Sequence, residues 1–262
     1  MPRIFKLKDI QSDEAICKDY IDLIPLGASF QEVIRDAHRM CPELREFCER
    51  NQDKFNGLGA RDKGSMGKMV EFYIFGQIPD TNPKPDLLWG ADIKGTHFKT
   101  DRHGNYNAKE RLTITNVGTT NDYSTFDSLM QAGSLRQSKY YGKVVKGVLF
   151  VFEHPGGKYN DLETNLDKTL LYAFSYNLEE LPRSVRGQID ADFDNIQYRV
   201  ANRTVSQRGQ SYLHIHPHGS KGSKTRALGF KNKFVTKLVS IYSGKPITVK
   251  GRSWFIEKRH FQ

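Results

Sequence analysis

Pro85-Asp86-Leu87-Leu88-Trp89-Gly90-Ala91-Asp92-Ile93-Lys94 sets two carboxylates and an amine within ten residues. Ala91 to Phe98 has the composition of a strand, so Asp92 and Lys94, two positions apart, leave one face while Ile93 leaves the other. One face then carries chemistry and the opposite face packs. Two hard carboxylate oxygens can hold a Mg²⁺ that keeps some of its waters, and an ammonium beside them can orient an attacking water or stabilise charge developing on a phosphate. Phosphodiester hydrolysis requires that combination. The bland alternative is a solvated turn followed by an exposed strand edge, because an acid six positions before Asp-x-Lys arises by chance in many chains.

The stretch just upstream adds weight. Arg61-Asp62-Lys63-Gly64-Ser65-Met66-Gly67-Lys68-Met69-Val70-Glu71-Phe72 leads into a run from Met66 to Phe75 that is apolar enough to be a buried helix, interrupted by Glu71. A carboxylate in such a helix is costly unless it is paired or binds a cation. A salt bridge to a neighbouring lysine would satisfy it; so would a metal.

Arg-Asp-Lys-Gly-x-x-Gly-x-x-x-Glu, followed by Pro-Asp and a short acidic-x-Lys strand, resembles the MutH family, which comprises the mismatch-repair nicking endonuclease and the GATC-cutting type II restriction enzymes of the same fold. The resemblance runs roughly from Ile21 to Phe261. Lys109-Glu110-Arg111-Leu112, within Gly104 to Leu112, resembles the restriction branch, and Tyr212-Leu213-His214-Ile215-His216-Pro217-His218 resembles the family's DNA-reading strand and loop. It implies an α/β, restriction-endonuclease-like PD-(D/E)xK fold: a mixed sheet flanked by helices, with two lobes around a DNA cleft. One domain over residues 1–262 is implied, with a catalytic lobe of about 1–150 and a recognition lobe of about 151–262. Residue by residue, the metal carboxylates fall on Asp86 and Asp92, the helix glutamate on Glu71 and the catalytic lysine on Lys94. The family more usually has Glu at Asp92, a departure that bears on metal preference more than on activity. A further family lysine precedes the strand matched by Val148 to Glu153; Lys139 is chosen for it, with Lys143 and Lys146 in the same stretch.

Charge agrees with a polyanionic partner. Of the formal charge of +10, the whole excess lies in Lys221 to Gln262, where eleven Lys or Arg face Glu257 alone, while the remainder balances at 29 basic and 29 acidic residues. A basic surface at one end suits DNA better than it suits general solubility. Phe230, Phe234, Val235, Leu238, Val239, Ile241 and Tyr242 are spaced as an amphipathic helix in this segment, which argues against a merely solvated tail. Cys17, Cys41 and Cys48 form no Cys-x-x-Cys pair and imply neither a disulfide framework nor a zinc knuckle. With no signal-peptide pattern at the start and no apolar run of bilayer length, an intracellular, cytoplasmic protein without a membrane is expected.

The pattern of elements is two or three short helices between Ser12 and Phe55, with Ser29-Phe30-Gln31-Glu32 as a capping box. The Glu71 helix follows, then strands near Asp86 to Leu88, Ala91 to Phe98 and Glu110 to Val117, a helix from about Ser124 to Tyr140, and strands at Val148 to Glu153 and Thr169 to Ser175. Pro155 to Asp167 reads as a surface loop. Such an order builds helices around a mixed sheet.

His214, His216 and His218 share one face of a strand. A zinc site there is cramped, since next-but-one positions lie roughly 7 Å apart at about 3.3 Å per residue. Contact with DNA suits them better, together with Lys63, Arg111, the loop lysines Lys221 and Lys224, and Arg226, Lys231 and Lys233; imidazoles read base edges and ammoniums hold phosphates. The family has Arg where His216 stands, which leaves the recognised bases open around a GATC-like site. The expected function is sequence-specific, Mg²⁺-dependent cleavage of double-stranded DNA, with Mn²⁺ able to substitute. Dimerisation on DNA and a cognate methyltransferase go with a restriction enzyme. A MutH-type nicking enzyme and a non-catalytic DNA-binding module of the same fold are the alternatives.

Overall fold

The Asp-x-Lys segment forms β1 (Asp92–Thr100), at the centre of a six-stranded mixed sheet in a computed structural model that describes residues 3–56, 64–80, 84–154, 162–205, 207–251 and 253–260. The other strands among these residues are β2 (Tyr106–Ala108), β3 (Leu112–Thr119), β4 (Lys146–Glu153), β5 (Leu170–Asn177), β6 (Leu213–Pro217), β7 (Thr225–Phe230), β8 (Ile247–Lys250) and β9 (Ser253–Ile256). The large sheet runs β5-β4-β1-β2-β9-β8, and β3-β7-β6 form a second, antiparallel sheet. Only β1 and β4 pair in parallel, with Asp92 opposite Gly147 and Lys94 opposite Leu149.

Helices cover both faces: α1 (Leu7–Ser12), α2 (Glu14–Asp22), α3 (Phe30–Met40), α4 (Pro42–Asn56), α5 (Ser65–Phe75), α6 (Asp127–Met130), α7 (Tyr141–Val145), α8 (Leu162–Leu166), α9 (Arg183–Ala201) and α10 (Asn232–Ser243). Burial explains the layering. Ile93, Val148, Phe150 and Phe152 enter a core filled by α1 to α5, whereas Phe98, Leu149 and Val151 enter a second core shared with the three-stranded sheet, α9 and α10. Covered on both faces, Gly147–Phe152 is buried throughout, which is why β4 reads as an unbroken apolar run. Each such Phe or Val contributes about 1.5–3 kcal/mol by leaving water. The architecture is therefore α/β, a mixed sheet flanked by helices. β4 sits between the two cores, its side chains alternating from one to the other.

Several expected elements stand as read. The Ser29 box caps α3 in both directions, with Glu32 N–H on Ser29 Oγ at 3.3 Å and Ser29 N–H on Glu32 Oε2 at 2.9 Å. α10 buries Phe234, Val235, Leu238 and Val239. Two elements differ. Asp86 to Leu88 is a turn, closed by Leu87 N–H on Ala91 O and Gly90 N–H on Leu87 O, both at 2.9 Å, with Gly90 at φ 94°. The helix expected from Ser124 to Tyr140 is broken into 3₁₀ turns at Tyr123–Phe126 and Leu135–Gln137 around α6. Gln197 of α9 donates to the carbonyls of Leu129 at 2.8 Å and Ala132 at 2.7 Å, which a longer helix would use internally, and Ser134 is extended. Lys63 lies outside the described residues, as do Arg61, Asp62 and residues 155–161 of the expected loop.

Candidate active site

Close backbone approach brings the Glu71 helix onto β1. A Cβ on Gly95 would stand 2.9 Å from Gly67 N, so α5 and β1 meet through two glycines. Glu71 is one turn beyond Gly67 and shares its face. Asp86 is pinned from the other side, because its Oδ2 accepts the Ile93 N–H at 2.7 Å and folds the turn back over the start of β1.

Asp92 is fully buried. Lys94 Nζ stands 2.5 Å from its Oδ2 and Lys143 Nζ, from α7, 3.2 Å from its Oδ1. Neither oxygen accepts a hydrogen bond of ordinary geometry, so the two ammoniums are its compensation. Burial, and after it the Asp86 carboxylate, pushes Glu71 up to about 8 against the pull of Lys94. Burial and the Asp92 carboxylate push Asp86 up to about 6. For Lys94, burial opposes the ammonium, but Asp92, Asp86 and Glu71 outweigh it and hold the amine above its ordinary value. Three carboxyl groups in mutual repulsion, two of them reluctant to ionise, thus surround charged Lys94.

Of the three lysines at and before the start of β4, Lys143 reaches Asp92. Lys139, the residue chosen from the sequence, lies over the Tyr140 ring at 5.3 Å, and Lys146 pairs with Glu14 at 2.7 Å. Lys139 and Lys143 line, with Lys84, a groove of about 600 Å³ floored by residues 115–119 of β3. Lys143 belongs to both, lining the groove and pairing with Asp92, while Asp92 itself is buried outside the groove lining. Tyr176 is a neighbour the sequence did not reveal: across β1, β4 and β5 the register runs Asp92, Gly147, Tyr176, and the phenol fills the space that a Gly147 side chain would need. Burial, then the Asp92 charge, drives this phenol far above its ordinary value and keeps it protonated.

The residues expected at DNA divide by exposure. Arg111, His218, Lys221 and Lys224 are exposed. His214 and His216 are buried, stacked with ring centroids 4.6 Å apart, and His216 Nε2 meets Thr113 Oγ1 at 3.1 Å. Burial lowers both imidazoles to about 3; His216 and nearby cations add to this at His214, and Arg111 first among the charges at His216. Both rings are buried in this structure, and His216 packs against Gly229 and Thr113. Arg226 is buried and donates to the carbonyls of Ser223 and Thr225, each at 3.1 Å. Lys231 donates to the Gln210 carbonyl and Lys233 lies over the Tyr212 and Trp254 rings. The basic C-terminal segment is thus partly consumed in building the fold.

Among the described residues no three His, Cys, Asp or Glu side chains are grouped as a metal site, and the charges found against Asp92 are the Lys94 and Lys143 ammoniums. No protein-family model and no curated protein matches the chain. Fold and site together define an α/β protein with a buried acid–lysine centre that shares Lys143 with a lysine-lined groove. No described helix is long and apolar enough to cross a membrane.

Proposed function

We propose that this chain is a divalent-metal-dependent endonuclease of the PD-(D/E)xK kind, a type II restriction enzyme cutting double-stranded DNA at a GATC-like site. The observation that carries the reading is buried Asp92 paired with both Lys94 and Lys143, with Asp86 and Glu71 near enough to act on the same lysine electrostatically, and Lys143 also lining the basic groove. The donor set suits Mg²⁺, with Mn²⁺ in its place: hard oxygens, from two carboxyls that burial and then like charge make reluctant to ionise and from Asp92, whose oxygens accept no ordinary hydrogen bond. Asp86 and Asp92, with Glu71, would hold the ion. Bound there, it supplies Lewis-acid polarisation of the phosphodiester and activation of water.

The chain's own groups do the rest. Lys94, held charged chiefly by Asp92 and Asp86, would stabilise charge on the phosphate oxygens and orient the attacking water. Lys143 stands between Asp92 and the groove, placed to meet a phosphate from the substrate side. Tyr176, neutral and buried, keeps water from the back of Asp92. Lys84 and Lys139 follow the backbone along the groove, while Arg111, His218, Lys221 and Lys224 face the duplex. The partners of such an enzyme are duplex DNA, a second copy on a palindromic site, and a methyltransferase protecting the same site.

Digestion of methylated and unmethylated plasmid, with and without Mg²⁺, tests the reading. Metal-dependent linear product with ends at one short sequence supports it. Nicked product alone points to a strand-by-strand enzyme of the mismatch-repair kind. DNA retained in a gel without cleavage under either Mg²⁺ or Mn²⁺ makes the chain a binding module and overturns the reading.

A further inference from the structure

Glu71 and Asp86 come from different elements, a helix and a turn. One residue bonds to the backbone of both. The Gln77 N–H donates to the Glu71 carbonyl at 3.0 Å, across a helix end that Gly76 closes by adopting left-handed backbone (φ 61°, ψ 42°). Its side-chain Nε2 donates to the Asp86 carbonyl at 2.6 Å. Gln11 of α1 makes a second tie between the same elements. Its Nε2 donates to the carbonyls of Phe75 at 2.7 Å and Gly76 at 3.3 Å, and its own carbonyl accepts the Leu88 N–H at 2.9 Å.

We propose that Gln77, supported by Gln11, is a positioning residue that sets the separation of Glu71 from Asp86 and thereby the affinity of the centre for a divalent ion; this rests on the metal-dependent reading above. The reason is geometric. An ion shared by two carboxylates tolerates little variation in their spacing. The Gln77 amide ties the end of the Glu71 helix to the turn that carries Asp86. Its loss leaves the Asp86 carbonyl without this donor and the spacing less fixed.

Gln77→Met tests this, since it keeps the length of the side chain and the backbone bond to Glu71 while removing only the amide donor. The metal-free protein is titrated with Mn²⁺ while its thermal midpoint is followed, and plasmid cleavage is measured over the same range. The half-saturating Mn²⁺ concentration should rise about tenfold in both measurements, with KM for DNA unchanged and kcat largely recovered at saturating metal. Gln11→Leu should raise it by a smaller factor, because the Leu88 bond to its carbonyl remains. A purely structural glutamine would lower the metal-free midpoint and leave the half-saturating concentration unchanged; that result overturns the proposal. If Gln77→Met does not fold, Gln77→Leu is titrated in the same way against the same two outcomes. A wild-type protein that neither shifts with Mn²⁺ nor cleaves overturns the metal-centre reading itself, a result distinct from a normal wild type with an indifferent variant.

Discussion

β1 and β6 carry the same short pattern, a polar pair two residues apart across one isoleucine, and the fold treats them in opposite ways. Asp92 and Lys94 flank Ile93, and His214 and His216 flank Ile215; in each strand the isoleucine is buried in a core. In β1 the pair has opposite charges and meets more of both, Asp86, Glu71 and Lys143, the last of which also lines a groove. In β6 the pair is alike, is covered, and has Arg111 nearby, so both rings stay neutral. Period-two spacing decides which side chains share a face. It does not decide what that face meets.

The sharpest way to break the comparison is at Asp86 and Asp92. Asp86→Asn and Asp92→Asn should each bring plasmid cleavage to background while gel-shift retention of duplex DNA stays equal or improves, since one negative charge near the backbone has gone. Lys94→Arg should fail as well, because guanidinium is larger and planar where a compact ammonium fits between carboxylates. Substantial cutting by any of the three would show that this face of β1 is no more chemical than that of β6.

Lys143 and Lys139 come next. Lys143→Ala should lower kcat by about a hundredfold, in the range seen on removing a group that stabilises transition-state charge, whereas Lys139→Ala should cost less than about tenfold. Single-turnover cleavage at saturating metal reads both, and the reverse order would return the accessory role to the residue favoured by the sequence.

The two strands should also leave opposite marks on stability against pH. Glu71, at about 8 against an ordinary 4.5, keeps in the folded chain a proton that the unfolded chain releases, so metal-free stability is full below about 4.5 and is lost as pH rises towards 8; Asp86 adds to this up to about 6. His214 and His216, at about 3 against 6.5, refuse protons that the unfolded chain takes, so their contribution is full above about 6.5 and is lost as pH falls towards 3. Thermal midpoints across pH 4 to 9 should therefore show Glu71→Gln flattening the alkaline limb and His216→Gln the acid limb. Divalent cation should restore wild-type stability on the alkaline side only.

The smallest effects belong to the exposed loop. Lys221→Ala and Lys224→Ala should each lower the slope of log affinity against log salt by about 0.9 without changing site preference. An unchanged slope would remove that loop from the DNA surface.

Much of this was legible because it depends on local order. The Glu71 helix, the β1 face, the Ser29 cap and the α10 stripe follow from spacing and capping chemistry that act within a few residues. What escaped is held from a distance. α9 went unread, although its Asp192 carboxylate fixes the start of β6 by accepting the N–H groups of Ser211, Tyr212 and Leu213 at 2.7, 2.5 and 3.0 Å. The broken helix before α7 is the same case, since Gln197 of α9 takes its carbonyls. Lys143 could be narrowed only to a stretch of three lysines, because nothing in their spacing tells which one meets Asp92.

By itself, then, the sequence determined which residues were able to do chemistry: the acids at 71, 86 and 92, Lys94 two positions from the last of them, and an excess of cations in the final segment. Alternation along a strand and the cost of a carboxylate in an apolar helix are properties of a few consecutive residues. Tertiary structure decided which of those residues are joined and which are spent. Parallel pairing of β1 with β4 sets Gly147 beside Asp92 and makes room for Tyr176, the meeting of Gly67 with Gly95 brings Glu71 onto β1, burial takes in His214, His216 and Arg226, and the Gln210 carbonyl holds half-buried Lys231. Charge and solvation depend on every neighbour within several ångströms, and those neighbours come from distant parts of the chain.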